Sequence, residues 1–141
     1  MSSAIDKFLY LLPNQLGLGP HSTRLVIEAQ GALRHKLWAS AIILSATIVD
    51  VIRYEESIYD FDSINEIDEF SGDMGYIESS GYDYLTMAER KKLAWLRSMR
   101  NQLVHYEGAM EGMLGRPSDD GYLHTQADKA ASAILPIMLR D

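Results

Sequence analysis

The chain has 141 residues, of which 47% are hydrophobic, which is enough for one domain with a core of its own. It contains no cysteine, and this excludes disulfides, thiol catalysis and cysteine-ligated zinc. The longest apolar run, residues 37–49, is shorter than the ~20 residues that span a bilayer, and no signal-peptide pattern follows the apolar residues 8–12. We therefore expect one cytoplasmic domain over residues 1–141, with no membrane partner.

The net charge of −7 is unevenly distributed along the chain. Residues 54–83 contain ten Asp and Glu residues and no Lys or Arg, which predicts an acidic insertion, most simply a solvated loop. A lid over a site and a contact for a basic partner are the alternatives. Elsewhere the thirteen basic residues exceed the ten remaining acidic residues. Because the local field governs how a ligand approaches a site, the overall acidity does not exclude RNA as a partner.

Hydrophobic periodicity predicts helices along the chain and no strands. Residues 1–20 read as an N-terminal arm with a short helix that ends at Pro13. A helix capped by Ser22 then runs to about His35. The next helix covers roughly residues 37–57 and is apolar nearly all round in its first half, which indicates burial on several sides. The join between these two lacks a strong breaker, so they are two helices or one long one.

Two segments have the spacing of a capping box, in which a Thr side chain and an acidic side chain satisfy backbone amides at a helix start. The first, Thr86 to Glu89, predicts a helix to about Tyr106. The inner side of this helix is formed by Lys92, Leu96, Met99, Leu103 and Tyr106. The second, Thr125 to Asp128, predicts a last helix to about Leu139, bent or frayed at its end by Pro136. Asp119 and Asp120 are interpreted as a turn. The predicted fold is all-α, a compact bundle of four or five helices with an acidic loop insertion.

Three polar side chains, Arg100, Asn101 and His105, lie within roughly one and a half turns near the end of the third long helix. Asn101 and His105 share a face that is opposite the core, whereas Arg100 is about 140° away from His105. One straight helix does not aim Arg100 and His105 at a single atom without long side chains, a bend, or a second copy of the helix. This geometry favours a dimer.

These residue types fit RNA cleavage without a metal. A histidine takes or gives a proton near neutral pH, and an arginine stabilises charge that develops on a phosphate. The structural alternative is that Arg100 forms a salt bridge, with Asp50 or an acid of the insertion. The other three histidines are scattered, so no metal cluster is predicted. His35 is a solvated helix end or an extra phosphate contact, and His21 and His124 read as loop or cap residues.

The segment from Trp95 to His105 resembles the signature of the HEPN superfamily (higher eukaryotes and prokaryotes nucleotide-binding), which is Arg, a polar residue, a short spacer and His late in the third main helix. The resemblance covers about residues 22–139 apart from the acidic insertion. It implies a metal-independent endoribonuclease of a toxin–antitoxin or phage-defence system. Such proteins act as homodimers that pair two signatures in one cleft.

Carried over to this chain, the resemblance makes His105 the catalytic acid and base, Arg100 the phosphate contact and Asn101 the orienting residue. Arg97, Tyr106 and Lys36 are further candidates for RNA contact. No cofactor or metal is implied, and an antitoxin or regulatory protein is a further expected partner.

One subgroup of the superfamily, the HepT toxins, has a tyrosine two residues after the histidine that a partner enzyme modifies. Here position 107 is Glu and Tyr106 follows the histidine directly, so this mode of control is not implied. The alternative function is a non-catalytic HEPN-like module that binds a nucleotide or a partner protein and dimerises. A plain helical scaffold is the third interpretation.

Overall fold

The computed structural model describes residues 3–56, 77, 82, 84–105 and 119–139. Within these residues there is no strand, and the chain forms α1 (Ala4–Leu9), a short 3-10 helix (Pro13–Gln15), α2 (Pro20–Arg34), α3 (Trp38–Glu56), α4 (Met87–Val104) and α5 (Asp119–Met138). α3 packs against α2, α4 and α5, while α1 packs against α5 and α2. The predicted all-α bundle is confirmed.

α3 supplies the centre of the core, as its nearly all-round apolar sequence predicts. Its buried residues are Trp38, Ala41, Ile42, Ser45, Ala46, Ile48, Val49, Ile52 and Arg53. Alanines and a serine among them leave room for neighbouring helices to come close. The buried Ser45 hydroxyl donates to the carbonyl of Ala41 at 2.7 Å, so this polar group is satisfied within the helix.

α2 and α3 are two separate helices, and the junction is a single residue in the left-handed conformation. Lys36 has a φ of 59°. Its N–H donates to the carbonyl of Leu33, and the N–H of Leu37 donates to the carbonyl of Ala32 at 2.8 Å. This pair of bonds is the Schellman arrangement that ends helices, usually with glycine in the left-handed position. The sequence carries no glycine there, which is why no break was apparent from it.

The N-terminal segment is held at both ends of α1. Asp128 of α5 accepts a hydrogen bond from the N–H of Ile5 at 3.0 Å. The buried Gln30 of α2 donates to the carbonyl oxygens of Phe8 and Leu11 at 3.1 and 3.0 Å. Ile5 and Phe8 are buried in the common core. The segment that reads as an arm in the sequence is therefore packed and hydrogen-bonded to α2 and α5.

The start of α2 is capped by a carboxylate from another helix. α2 begins at Pro20 with Gly19 as its N-cap, so the prediction that Ser22 caps it was wrong. Glu55 of α3 accepts hydrogen bonds from the N–H of His21 at 3.2 Å, the N–H of Ser22 at 2.8 Å and the hydroxyl of Ser22. A Cβ on Gly19 would collide with this carboxylate. A remote side chain thus does what a local N-cap does in most helices.

Part of the predicted acidic insertion belongs to the core. Residues 54–56 form the last turn of α3, so the helix extends into the range 54–83. Ile77 and Tyr82 are 1% and 2% exposed, and the Tyr82 hydroxyl donates to the carbonyl of Val49 at 2.8 Å. These two residues contradict a fully solvated insertion. The rest of the acidic stretch lies outside the described residues.

α5 begins six residues before the predicted capping Thr125, so the second capping box was wrong. The Thr125 hydroxyl instead donates to the carbonyl of Gly121 at 3.2 Å, one turn earlier in the same helix. The turn predicted at Asp119 and Asp120 is the start of the helix. The helix continues through Pro136 and ends at Met138, close to the expected end.

The predicted inner face of α5 is confirmed. All five residues assigned to it are buried: Ala127, Ala131, Ile134, Leu135 and Met138. His124, predicted as a loop or cap residue, lies inside α5 and stacks on Trp38 with ring centroids 4.4 Å apart. Trp38 is the first residue of α3, so this stack joins the start of α3 to the second turn of α5. No helix in the described part of the chain combines the length and apolar character needed to cross a membrane.

We predict that Lys36→Gly stabilises the protein. A left-handed backbone strains any residue that has a Cβ, and relief of this strain exceeds the extra unfolded-state entropy of glycine. The expected gain in the free energy of unfolding is on the order of 0.5–1 kcal/mol. Urea unfolding followed by circular dichroism measures it. Lys36→Ala removes the same charge but keeps the Cβ, so it is the matched control and gains nothing.

We predict that Glu55→Gln destabilises the protein, because an amide provides one acceptor oxygen where three donors converge. The expected loss in the free energy of unfolding at neutral pH is about 1–3 kcal/mol. Glu28→Gln is the matched control, since the Arg24–Glu28 pair is solvent-exposed and such pairs contribute less than about 0.5 kcal/mol. Equal losses in the two variants would contradict a capping role for Glu55.

The effect of Glu55→Gln also depends on pH. Partial burial by itself raises the pKa of Glu55, but hydrogen bonds from Ser22 and His21 outweigh this, and the pKa lies below its ordinary value of 4.5. A lowered folded-state pKa gives stability that is complete above the unfolded value and lost as pH falls through the folded value. The difference between wild type and Glu55→Gln therefore shrinks below about pH 4.5 and is constant above it.

Candidate functional site

α4 carries the candidate motif, and its position is set at both its start and its inner face. The predicted capping box is present: the N–H of Glu89 donates to the Thr86 hydroxyl, and the N–H of Thr86 donates to the Glu89 carboxylate at 2.8 Å. Leu93, Leu96 and Met99 are buried. Lys92, which was predicted on this inner side, is exposed, and Leu93 takes its place. Arg100 thus follows directly after the last buried residue of the helix.

Arg100 forms an ion pair with Asp50 of α3. Arg100 Nη1 donates to Asp50 Oδ2 at 2.6 Å, and the two side chains are only 19% and 22% exposed. The salt bridge to Asp50, which the sequence analysis gave as the structural alternative for Arg100, is therefore present. Partial removal from water makes such a pair stronger than one on the open surface, and it fixes the position of the guanidinium.

Asn101 lies beside Arg100 and not purely on the far side of the helix. Its Oδ1 accepts a hydrogen bond from Arg100 Nη2 at 3.4 Å, and the side chain is half-buried. This differs from the prediction that Asn101 projects away from the core with His105. The guanidinium is held by two oxygen atoms, one from Asp50 and one from Asn101. These contacts use two of the five N–H donors that an arginine has.

His105 ends α4 and is exposed to solvent. The helix stops at Val104, two residues before the predicted end, and His105 is the C-cap with extended backbone angles of −111° and 109°. Its N–H still donates to the carbonyl of Asn101 at 2.8 Å. The angular separation of about 140° between Arg100 and His105 assumes that both are helical. Since His105 is not, that count does not fix where the imidazole points.

The other predicted RNA contacts are dispersed. Arg97 is half-buried on α4, Lys36 is exposed in the α2–α3 junction, and Tyr106 lies outside the described residues. His35 is the exposed C-cap of α2, as expected of a solvated helix end. His21 is in the first turn of α2, with its Nδ1 3.5 Å from the Glu55 carboxylate. The structure brings Arg100 and Asn101 together, and it adds Asp50 to them.

The described residues contain no group of three or more His, Asp and Glu side chains arranged to hold a metal ion.

A second polar cluster was not identified from the sequence. A cleft between α4 and α5 is lined by Lys91, Lys92, Trp95, Lys129 and Ser132. The Lys129 ammonium lies 4.2 Å from the centre of the Trp95 ring. The signal available in the sequence was the spacing of Lys91, Lys92 and Trp95, which places them on neighbouring turns of one helix. Lys129 reaches this cluster only through tertiary packing.

Comparison of the chain with protein-family models, with curated proteins and with solved structures gives no match. The candidate site therefore rests on the motif and on its geometry.

We predict that the Arg100–Asp50 pair contributes measurably to stability. In a double-mutant cycle with Asp50→Asn and Arg100→Gln, the expected coupling energy is about 1–2 kcal/mol, because both groups are mostly shielded from water. Urea unfolding at two salt concentrations measures the four free energies. The same cycle on Arg24 and Glu28, whose side chains are 68% and 52% exposed, is the control and gives about 0.3–0.5 kcal/mol. Equal coupling in the two cycles would show that Asp50 does not hold Arg100.

Proposed function

We propose that this protein is a metal-independent endoribonuclease of HEPN type that acts as a toxin or phage-defence effector. The observation that carries the proposal is the arrangement at the end of α4. A guanidinium fixed by Asp50 and Asn101 lies five residues before an exposed histidine at the helix end. This combination supplies a positioned cation and an exposed imidazole that can take or give a proton.

In the proposed reaction His105 removes the proton from a ribose 2′-hydroxyl. The 2′-oxygen then attacks the neighbouring phosphorus, and the bond from phosphorus to the 5′-oxygen breaks. A histidine in its protonated form returns a proton to the leaving 5′-oxygen. The products are a 2′,3′-cyclic phosphate and a 5′-hydroxyl. Arg100 stabilises the negative charge that builds up on the phosphate oxygens.

Asp50 has a positioning role in this proposal. A guanidinium held by a carboxylate at 2.6 Å needs little rearrangement when a phosphate arrives. The carboxylate also lowers the net charge of the site, so the arginine binds RNA less tightly in the ground state than a free cation would. Fixed placement with modest ground-state attraction suits stabilisation of a transition state.

A homodimer is part of the proposal. Arg100 packs back towards α3, while His105 lies beyond the end of the helix and is exposed. Two α4 ends that face each other bring the histidine of one chain near the arginine of its partner. Val104, beside the motif, is 53% exposed and provides apolar surface for such a contact.

We predict that the purified protein cleaves labelled single-stranded RNA in EDTA and leaves cyclic phosphate ends. His105→Ala and Arg100→Ala each lower the cleavage rate by about 10²–10³-fold, the usual effect of losing an acid–base or charge-stabilising group. His35→Ala is the matched control, since His35 is also an exposed histidine at a helix C-cap. The cleavage rate of His35→Ala stays within roughly a few fold of the wild-type rate, because an exposed contact contributes little binding energy.

Mixing the two inactive variants tests the composite site. If Arg100 and His105 act across a dimer, heterodimers of Arg100→Ala and His105→Ala regain one working site, and cleavage returns. Light scattering of the wild type at micromolar concentration shows whether the dimer forms. A folded, dimeric wild type that leaves RNA intact contradicts the ribonuclease proposal.

A non-catalytic HEPN-like binding module is the second candidate. Two observations favour this candidate: the Arg100 side chain is only 19% exposed, and it is paired with Asp50. Both are also what a purely structural arginine would show. In that case the wild type does not cleave RNA, and Arg100→Ala lowers only the stability. The two candidates differ in the effect of His105→Ala on RNA cleavage, since this substitution keeps the backbone bond from His105 to Asn101.

A further inference from the structure

The cleft between α4 and α5 is a concave surface lined by three basic residues. It has a volume of about 380 Å³ and is lined by Lys91, Lys92, Trp95, Lys129 and Ser132. Lys129 and Ser132 lie three residues apart on α5, so both face α4. The floor is the indole of Trp95, which is only partly buried against the core. The cleft therefore combines an aromatic surface, three ammonium groups and one hydroxyl.

The charges in this cleft have no acidic partner within the described part of the chain. Lys91, Lys92 and Lys129 form no ion pair with any of the described residues. No Asp or Glu is among the described residues that line the cleft. The protein as a whole has a net charge of −7, so three lysines that line one cleft with no acid among its described residues are a local exception. Uncompensated cations around an apolar floor attract an anion that also has an apolar part.

We propose that this cleft binds a nucleotide unit, with its base against Trp95 and its phosphate among the three lysines. An indole face offers stacking to a planar ring, and ammonium groups are good partners for phosphate oxygens. The volume lies at the small end of ligand sites and fits one nucleotide better than an extended segment. An acidic peptide would engage the lysines, but it has no general use for the exposed indole.

Lys129 has a double role in this site. Without a ligand its ammonium lies over the Trp95 ring, 4.2 Å from the ring centre, where the π electrons attract it. A phosphate attracts an ammonium more strongly than the ring does, so Lys129 moves from the ring to the phosphate when the nucleotide binds. This movement uncovers the indole face for the base. Ser132 is placed to hydrogen-bond a polar atom of the sugar or base.

The cleft is separate from the motif that carries the proposed ribonuclease activity. Trp95 and Arg100 are five residues apart on α4, which turns their side chains about 140° from each other. Trp95 faces α5, whereas Arg100 faces α3. Nucleotide binding in the cleft and RNA cleavage at the motif can therefore be tested independently. Its ligand is a free nucleotide or one nucleotide of a single strand, and the test distinguishes these sources.

Tryptophan fluorescence provides a direct test. The chain has two tryptophans, and Trp38 is 7% exposed, so quenching by a base reports Trp95. The full chain carrying His105→Ala, which removes cleavage from the experiment, is titrated with AMP, with ATP, with a short adenosine RNA and with polyglutamate. The expected result is saturable quenching by the nucleotides or by the RNA, with the affinity falling as salt increases. Quenching by AMP or ATP identifies the free nucleotide, and quenching by the RNA alone identifies the single strand.

The lysine variants decide whether binding is in this cleft. Replacement of Lys91, Lys92 and Lys129 by Gln weakens binding by about tenfold or more, because the phosphate loses its charged hydrogen-bond partners. Lys7→Gln, an exposed lysine on α1, is the control and leaves binding unchanged. Calorimetry on Trp95→Leu, with folding checked by circular dichroism, shows the loss of stacking without a fluorescence signal. Unsaturable quenching, unchanged affinity in the triple variant, or preferred binding of polyglutamate would each overturn the proposal.

Discussion

Two carboxylates near the end of α3 hold the neighbouring helices in place. Glu55 accepts three hydrogen bonds from the first turn of α2, and Asp50 binds Arg100 of α4. They are five residues apart, so they point about 140° from each other around the helix axis. Hydrophobic packing alone allows a smooth helix to rotate or slide with little change in buried area. Two directional contacts on different sides of α3 fix both its rotation and its height, and with them the place of the motif on α4.

Two further side chains satisfy backbone groups at the ends of a helix from a distant part of the chain. Gln30 closes the end of α1, and Asp128 closes its start. Every helix leaves amide and carbonyl groups without partners at its ends, and burying them unsatisfied costs free energy. In this bundle the hydrogen bonds that satisfy these backbone groups also hold one helix against another. The short α1 is tied into the core in this way, and it would be marginal as an isolated helix.

The functional proposals use opposite sides of one helix. On the side towards α3, Arg100 is held by Asp50 and Asn101, and the chain leaves the helix at an exposed histidine. On the side towards α5, Trp95 and three lysines line a cleft that has no acid among its described residues. A salt bridge at Arg100 does not argue against chemistry there, because a guanidinium held in one position is better prepared for a transition state than a mobile one. It does make Arg100 a contributor to stability as well.

The sequence by itself determined the helical fold class, the apolar centre formed by α3, the inner face of α5 and the start of α4 at Thr86. These follow from the spacing of residues that are neighbours along the chain, and such local signals do not need the rest of the protein. The same local signal misled at Thr125, because a threonine followed by an acid three residues later also fits the middle of a helix. Only the tertiary structure decided that Glu55 caps α2, that α2 ends at a left-handed Lys36, and that Lys129 packs on Trp95. Each of these depends on residues brought together by packing, or on strain that the packed helices impose, and neither is written in the local sequence.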